Sequence, residues 1–260
     1  MDYALIAAVA FAASGLTLFS GFGLGTVLLP AFALFFPVPQ AIAATAVVHL
    51  LNNVFKAGLV GRKADWPTVL RFGLPAVPAA VAGAWLLVRL EAGARLYEWS
   101  LGPRAFGPTA AGFTVGVLLA GMALLELQPW FQRLAAPARL QSLGGLVTGF
   151  IGGLTGQQGA FRAIFLLKSG LEPSRLIATG VMLAILIDLS RIPAYALAFA
   201  ASGAHDGREW RLVAVGALAA FAGAALGARY LDKVTIGLVR LVVAVMMLGI
   251  GGALMAGLVG

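Results

Sequence analysis

The chain has 260 residues, 61% of them hydrophobic and 11% charged. A soluble domain of this size cannot cover that much apolar surface, so a soluble enzyme or binding module is excluded. The net charge is +8, from 18 Lys and Arg against 10 Asp and Glu; on so apolar a chain the excess reads as basic loops on one side of a membrane, not as a nucleic-acid surface. Cysteine is absent, and two histidines, His49 and His205, are too few for a His-rich metal site. No cofactor is expected.

Ten apolar segments follow one another, five in each half. The first half, 1–130, holds 3–20, 25–36, 40–60, 68–88 and 107–127; the second, 131–260, holds 142–155, 159–168, 175–200, 210–228 and 234–258. The sequence therefore predicts an all-α polytopic membrane protein forming one integral membrane domain. The start, Met-Asp-Tyr, lacks a basic region, so the first segment is expected to be retained and not cleaved as a signal.

The first segment ends in the run Gly21 to Gly25, followed by Thr26 and Pro30. The echo of this break is Gly156, Gln157, Gln158 and Gly159, with Arg162 three residues on. An offset of 134 residues superposes Gly15 on Gly149, Gly25 on Gly159, Pro39 on Pro173 and Ala44-Thr45 on Ala178-Thr179. A broken helix in lipid frees backbone groups that need partners, so such breaks belong inside protein or beside a cavity. Paired breaks in two halves point to a transporter site. The segment after each break is too short to span about 30 Å of hydrocarbon. The first two segments of each half thus read as a hairpin that turns at the glycines and returns to its starting side.

With hairpins, Arg62, Lys63, Arg133, Arg139, Lys168, Arg175, Arg229 and Lys233 collect on one side, and Arg89, Arg95, Arg104, Arg208 and Arg211 on the other. The positive-inside rule then makes the first side cytoplasmic and puts both termini outside a cell inner membrane. Five segments per half is odd, so the two repeats are expected to be inverted. The fourth segments also match: Asp65-Trp66 aligns with Glu209-Trp210, and Ala79 and Gly83 with Gly223 and Gly227. An acid-Trp pair suits a helix start at the membrane interface. The small-residue spacing suits close helix packing within the chain. Polar, proline-containing stretches at 89–108 and 128–141 read as loops, the second joining the repeats.

The third segment places Thr45, His49, Asn52, Asn53 and Lys56 within an arc of about 100°. Its counterpart carries Asp188, Arg191 and Tyr195 within about 60°, while Thr179 falls on the opposite side of an ideal helix. An Asp and an Arg three apart can pair, which lowers the cost of either in lipid. Each residue also has a structural reading: Lys56 snorkelling, Asn52 and Asn53 bridging helices, His49 packing, Asp188 and Arg191 as an ion pair. Arg162 beside a helix start is unfavourable unless an anion is near. With Gln157, Gln158 and exposed N–H groups it makes an oxyanion site; the alternative partner is Asp188, and the two readings are compatible. The expected anion site lies between the breaks. It uses backbone N–H groups near Gly25-Thr26 and Gly159-Ala160, with Gln157, Gln158 and Arg162 from one repeat and Asn52, Asn53 and Lys56 from the other; Thr45, Thr179, Arg191 and Tyr195 are further expected substrate-binding residues. Asp188, then His49, are the expected ion-coupling residues.

These features resemble the TauE/SafE family of sulfite and organosulfonate exporters. The resemblance rests on Gly21 to Gly25, Pro30, Ala44-Thr45-Ala46 and Asp65-Trp66. The second copy, Gly156 to Arg162 with Ala178-Thr179, Asp188, Arg191 and Tyr195, resembles a subgroup with Gln-Gly…Arg and Asp…Arg patterns. Thr26 stands where a further Gly is common, and Ala46 and Gly180 where Ser is common. The resemblance implies a secondary transporter of a small sulfur-containing oxyanion, often an exporter. Its expected partners are the anion, the bilayer and a coupling ion, H⁺ or Na⁺; a homo-oligomer is an open alternative. No nucleotide-binding motif is present, which argues against ATP hydrolysis in this chain. A passive anion channel and an intramembrane enzyme are the competing classes, and no enzyme motif holds Asp188 or His49.

Overall fold

The computed structural model describes residues 2–20, 24–202, 208–230 and 236–259. Its helices are α1 (Asp2–Ser20), α2 (Leu24–Ala33), α3 (Val38–Val60), α4 (Trp66–Glu91), α5 (Ala110–Leu127), α6 (Pro129–Gln132), α7 (Gln141–Thr155), α8 (Gly159–Leu166), α9 (Pro173–Ser202), α10 (Arg208–Tyr230) and α11 (Ile236–Met255). All ten expected segments are present as helices, with ends shifted by a few residues. Further elements were not anticipated: the short α6, the 3-10 turns Gly61–Lys63 and Ala138–Leu140, and an antiparallel hairpin of β1 (Trp99–Leu101) and β2 (Arg104–Phe106) in the loop after α4. The spans Val38–Lys63, Trp66–Glu91, Ala110–Leu127 and Pro173–Leu197 are long and apolar enough to cross a membrane.

Local chemistry sets several of the ends. Asp65 caps α4 by accepting from the Thr68 N–H at 3.1 Å, and Thr109 caps α5 by accepting from the Gly112 N–H at 3.0 Å. The Thr109 hydroxyl also donates to Glu91 at 2.8 Å, tying the start of α5 to the end of α4. Helix α7 stops because Gly156 adopts φ 80°, a left-handed conformation that costs glycine nothing.

Helix pairing is reciprocal. α4 packs along α7 and α10 along α1; α4 also lies against α9, and α10 against α3; α3 meets α9, and α5 meets α11. Glycines make the close contacts. A Cβ on Gly145, Gly149 or Gly153 of α7 would run into the carbonyl oxygen of Phe72, Ala76 or Ala80 of α4, and a Cβ on Gly83 into that of Phe150. Across the other pair, Gly223 of α10 sits on the Phe11 carbonyl of α1. Lipid tails are as apolar as Leu, so backbone approach of this kind holds helices together where the hydrophobic effect does not. The small residues Gly83 and Gly223 thus pack within the chain. Gly227 has no described packing.

Two faces of the molecule follow from the loops. On one, the Ala136 N–H donates to Ile164 at 2.8 Å and Pro137 bridges to Lys168, so the end of α8 lies beside the start of α7. Helix α8, with 8 residues, is about 12 Å long, and the hairpin it forms with α7 starts and ends on this face. The α3–α4 connection joins the same face, because Asp65 takes a 2.7 Å ion pair from Arg175 and its N–H donates to Thr179 at 2.9 Å. On the opposite face, Tyr97 and Trp99 donate to the carbonyls of Met255 and Ala256. Ile6 contacts Gly216 and Phe11 contacts Gly223, so α1 runs parallel to α10.

Candidate functional site

Helices α3 and α9 cross at the middle of the molecule, and their polar stripes face each other. Nδ1 of His49 lies 2.6 Å from Oδ2 of Asp188. An ionised carboxylate only accepts, so this ring nitrogen carries the hydrogen. Arg191 donates to Oδ1 of the same carboxylate through Nε at 2.9 Å and Nη2 at 2.7 Å, and its Nη1 donates to the Gly152 carbonyl at 3.0 Å. The Tyr195 hydroxyl donates to the Gly153 carbonyl. Asp188, Arg191 and Tyr195 are all fully buried. Arg191 and Tyr195 therefore fasten α9 to the end of α7 just before its break.

The second break joins this cluster through Gln158. Its Nε2 donates to Oδ1 of Asp188 at 3.1 Å, and its Oε1 accepts from Nη1 of Arg162 at 3.2 Å. One amide therefore stands between the acid and Arg162, whereas the sequence alternative was a direct Arg162–Asp188 pair. Arg162 sits on the first turn of α8 and is buried. Lys56 is half-buried one turn beyond Asn52 on α3.

The first break comes to the same place. A Cβ on Gly25 would lie 3.3 Å from the Gly156 carbonyl oxygen, 3.8 Å from Thr45 and 3.9 Å from His49. Glycine at 25 lets the start of α2 come this close to the second break, and glycine at 156 allows the positive φ there. Among the described residues, Oγ1 of Thr45, Nδ2 of Asn52 and Nε2 of Gln157 are buried without a hydrogen-bond partner. Leaving a buried donor unpaired costs about 1–3 kcal/mol, so a ligand that pairs with these atoms is favoured. The N–H groups of Gly159, Ala160 and Phe161, at the start of α8, have no partner within the helix, whereas that of Arg162 bonds the Gln158 carbonyl.

Asn53 donates to the His49 carbonyl at 2.8 Å and its amide nitrogen lies 3.2 Å from both ring nitrogens, holding the imidazole in place. The Ser14 hydroxyl donates to Oδ1 of Asn52 at 3.2 Å. Ser14 was not among the expected residues; its place one residue before the repeat-matched Gly15 was the available signal. Thr179 does not join the cluster. It lies roughly 13 Å along α9 from Asp188 and on the other side. There it accepts from Asp65 at the loop face. Hydrogen bonds from Thr68, with Arg175 nearby, hold the Asp65 carboxyl below its ordinary range despite partial desolvation. The Thr26 side chain, residues 21–23 and His205 lie outside the described residues. Among those described, no group of three His, Cys, Asp or Glu side chains is arranged to hold a metal.

A comparison with curated proteins finds no significant match. The family model for the sulfite exporter TauE/SafE matches residues 6–254. That match takes in both glycine breaks, both central helices and every residue of the cluster, and the chain belongs to the sulfite exporter TauE/SafE family.

Proposed function

We propose that the protein is a secondary transporter, an exporter of a small sulfur-containing oxyanion such as sulfite or an organosulfonate. It works by alternating access, coupled to H⁺ or Na⁺. The observation that carries this is the meeting of the two breaks, with unpartnered buried Asn52 and Gln157 amides beside Arg162. An anion stripped of water needs several donors at once. Helix-start N–H groups, amide nitrogens and a guanidinium are donors of that kind. The substrate site is assigned to Gly25, Thr26, Thr45, Asn52, Asn53, Lys56, Gln157, Gln158, Gly159 and Arg162. The reciprocal pairing of α1 with α10 and of α7 with α4 supports two inverted repeats that rock about the α3–α9 contact. Purified protein in liposomes should show counterflow: sulfite inside accelerates entry of labelled sulfite. A rate indifferent to sulfite on the far side identifies a channel instead.

The face bearing Arg62, Lys63, Arg139 and Lys168 is assigned to the cytoplasm of a cell inner membrane, with both termini outside. The chain has no native cysteine, so single cysteines report cleanly. Cysteines placed at Lys63 and Arg139 should be protected from a membrane-impermeant thiol reagent in intact cells, and one at Arg104 should react. Opposite labelling of Lys63 and Arg139 would refute the arrangement.

A further inference from the structure

Two motifs occur once in each half: Asp65-Trp66 with Glu209-Trp210, and Ala44-Thr45 with Ala178-Thr179. On the face assigned to the cytoplasm, one of each meets across the halves. The Asp65 N–H donates to Oγ1 of Thr179 at 2.9 Å, and the Asp65 carboxylate holds Arg175 in a 2.7 Å ion pair. Beneath this contact Ala64, Val69 and Phe72 of the first half cluster with Ala178, Leu183 and Ile187 of the second, all buried. A Cβ on Gly61 would lie 3.7 Å from Met182, so the end of α3 also closes on α9. Ile187 precedes Asp188, so apolar packing extends from this face to the edge of the central cluster. The matching bond at the outer face is not made. Thr45 is the counterpart of Thr179, and its Oγ1 is buried without a hydrogen-bond partner. The matched donor is the N–H of Glu209, in the first turn of α10, where helix N–H groups have no intrahelical partner. Helices α3 and α10 both begin at the outer face, and a Cβ on Gly216 would lie 3.3 Å from Val48. Counted outward from that contact, Thr45 is about 4.5 Å and Glu209 about 10.5 Å along its own helix, a difference that a slide of a few ångströms closes. The ion pair has no counterpart, since the residue matched to Arg175 is Ala41.

We infer that these motifs form two opposed latches. Thr179 on the Asp65 N–H holds the cytoplasmic side shut, Thr45 on the Glu209 N–H holds the outer side shut, and the structure has the first made and the second released. The inference rests on the transport reading above. Inverted repeats alternate access by rocking one against the other, and exchanging their conformations reverses the access. The bond missing from one half is therefore the bond due in the other state. Each latch is weak, a neutral hydrogen bond joined on the cytoplasmic side by a half-exposed ion pair, which suits a contact broken in every cycle. Arg175, having no counterpart, biases the empty protein toward the cytoplasm-closed state. A threonine hydroxyl accepts and donates at once, so Thr45 can take the Glu209 N–H while donating to an anion.

The test is the rate at which a maleimide labels a single cysteine, Ala178→Cys, in the purified full chain without anion. Ala178 is fully buried under the cytoplasmic latch, and the chain has no cysteine of its own. When opening is fast compared with labelling, the rate tracks the open population. Arg175→Gln should raise it about two- to fivefold, the worth of an exposed ion pair. Thr179→Val, which keeps the shape and removes the acceptor, should raise it about two- to tenfold. Arg175 is half-exposed, so its replacement leaves the core intact if Thr179→Val does not fold. Thr45→Val, on the opposite face, should slow labelling by a similar factor, because it weakens the state in which the cytoplasmic side is open. Mere loosening of the fold would not produce that decrease. Labelling indifferent to both Arg175→Gln and Thr179→Val overturns the cytoplasmic latch, and labelling unchanged or faster in Thr45→Val overturns the opposition. Sulfite counterflow that persists alongside an indifferent reporter removes the latches and leaves the transporter; a reporter that responds as expected in a protein without counterflow keeps the latches and removes the carrier reading.

Discussion

Asp188→Asn is expected to abolish gradient-driven transport and to destabilise the protein by about 3–5 kcal/mol, the cost of leaving one partner of a buried ion pair uncompensated. Arg191 is the stranded partner: it is wholly buried, and two of its three nitrogens are committed to Asp188. His49 and Gln158 lose their acceptor's charge at the same time, so the contact between α3, α9 and the second break loosens as a unit. The double replacement Asp188→Leu with Arg191→Leu separates the two effects. Removing both charges is often neutral for stability or better, so the double variant should regain most of the lost thermal stability while remaining unable to transport. Recovery of transport in the double variant, or a single variant with wild-type melting and wild-type gradient dependence, would remove Asp188 from the mechanism.

Much of this arrangement was readable in the chain because membrane helices leave so few polar residues to interpret. The ten segments, the two breaks and the stripes on α3 and α9 all follow from hydrophobic runs interrupted by glycine or by a charge. The ideal helix angle even put Thr179 on the far side of α9 from Asp188, where it binds the Asp65 N–H. Periodicity, however, gives the face of a helix and not its neighbour. Nothing in the sequence says that His49 reaches across 139 positions to Asp188, or that Gln158 stands between Asp188 and Arg162. Those pairings come from the glycine contacts of α4 with α7 and α1 with α10, which fix the depth at which the hairpins turn. The hairpin at Trp99 to Phe106 was hidden for another reason. Each of its strands has only 3 residues, too few for an alternating pattern, and it is anchored by hydrogen bonds from Tyr97 and Trp99 to the distant end of α11.

Arg162→Gln should weaken anion binding on the order of ten- to a hundred-fold, because a charge-assisted hydrogen bond is worth roughly 1.5–3 kcal/mol. The glutamine keeps a polar head on α8 but removes the charge and the two-pronged donor. Arg162→Lys should recover part of the loss, since lysine restores charge without the planar fork that matches an oxyanion. The neighbours sharpen the expectation. Lys56 of the other repeat is half-buried on α3. In the glutamine variant the stabilisation on adding sulfite should shrink. A purely structural Arg162 makes the opposite forecast. It would hold Gln158 toward Asp188 through the 3.2 Å bond, so its loss would lower the melting temperature and leave the affinity of the surviving fold intact. Thermal unfolding measured with and without sulfite distinguishes the two, because a ligand that binds only the native state raises apparent stability by mass action. A well-folded Arg162→Gln protein with unchanged affinity would reject Arg162 as an anion ligand and move the site toward Asn52 and Lys56 on α3.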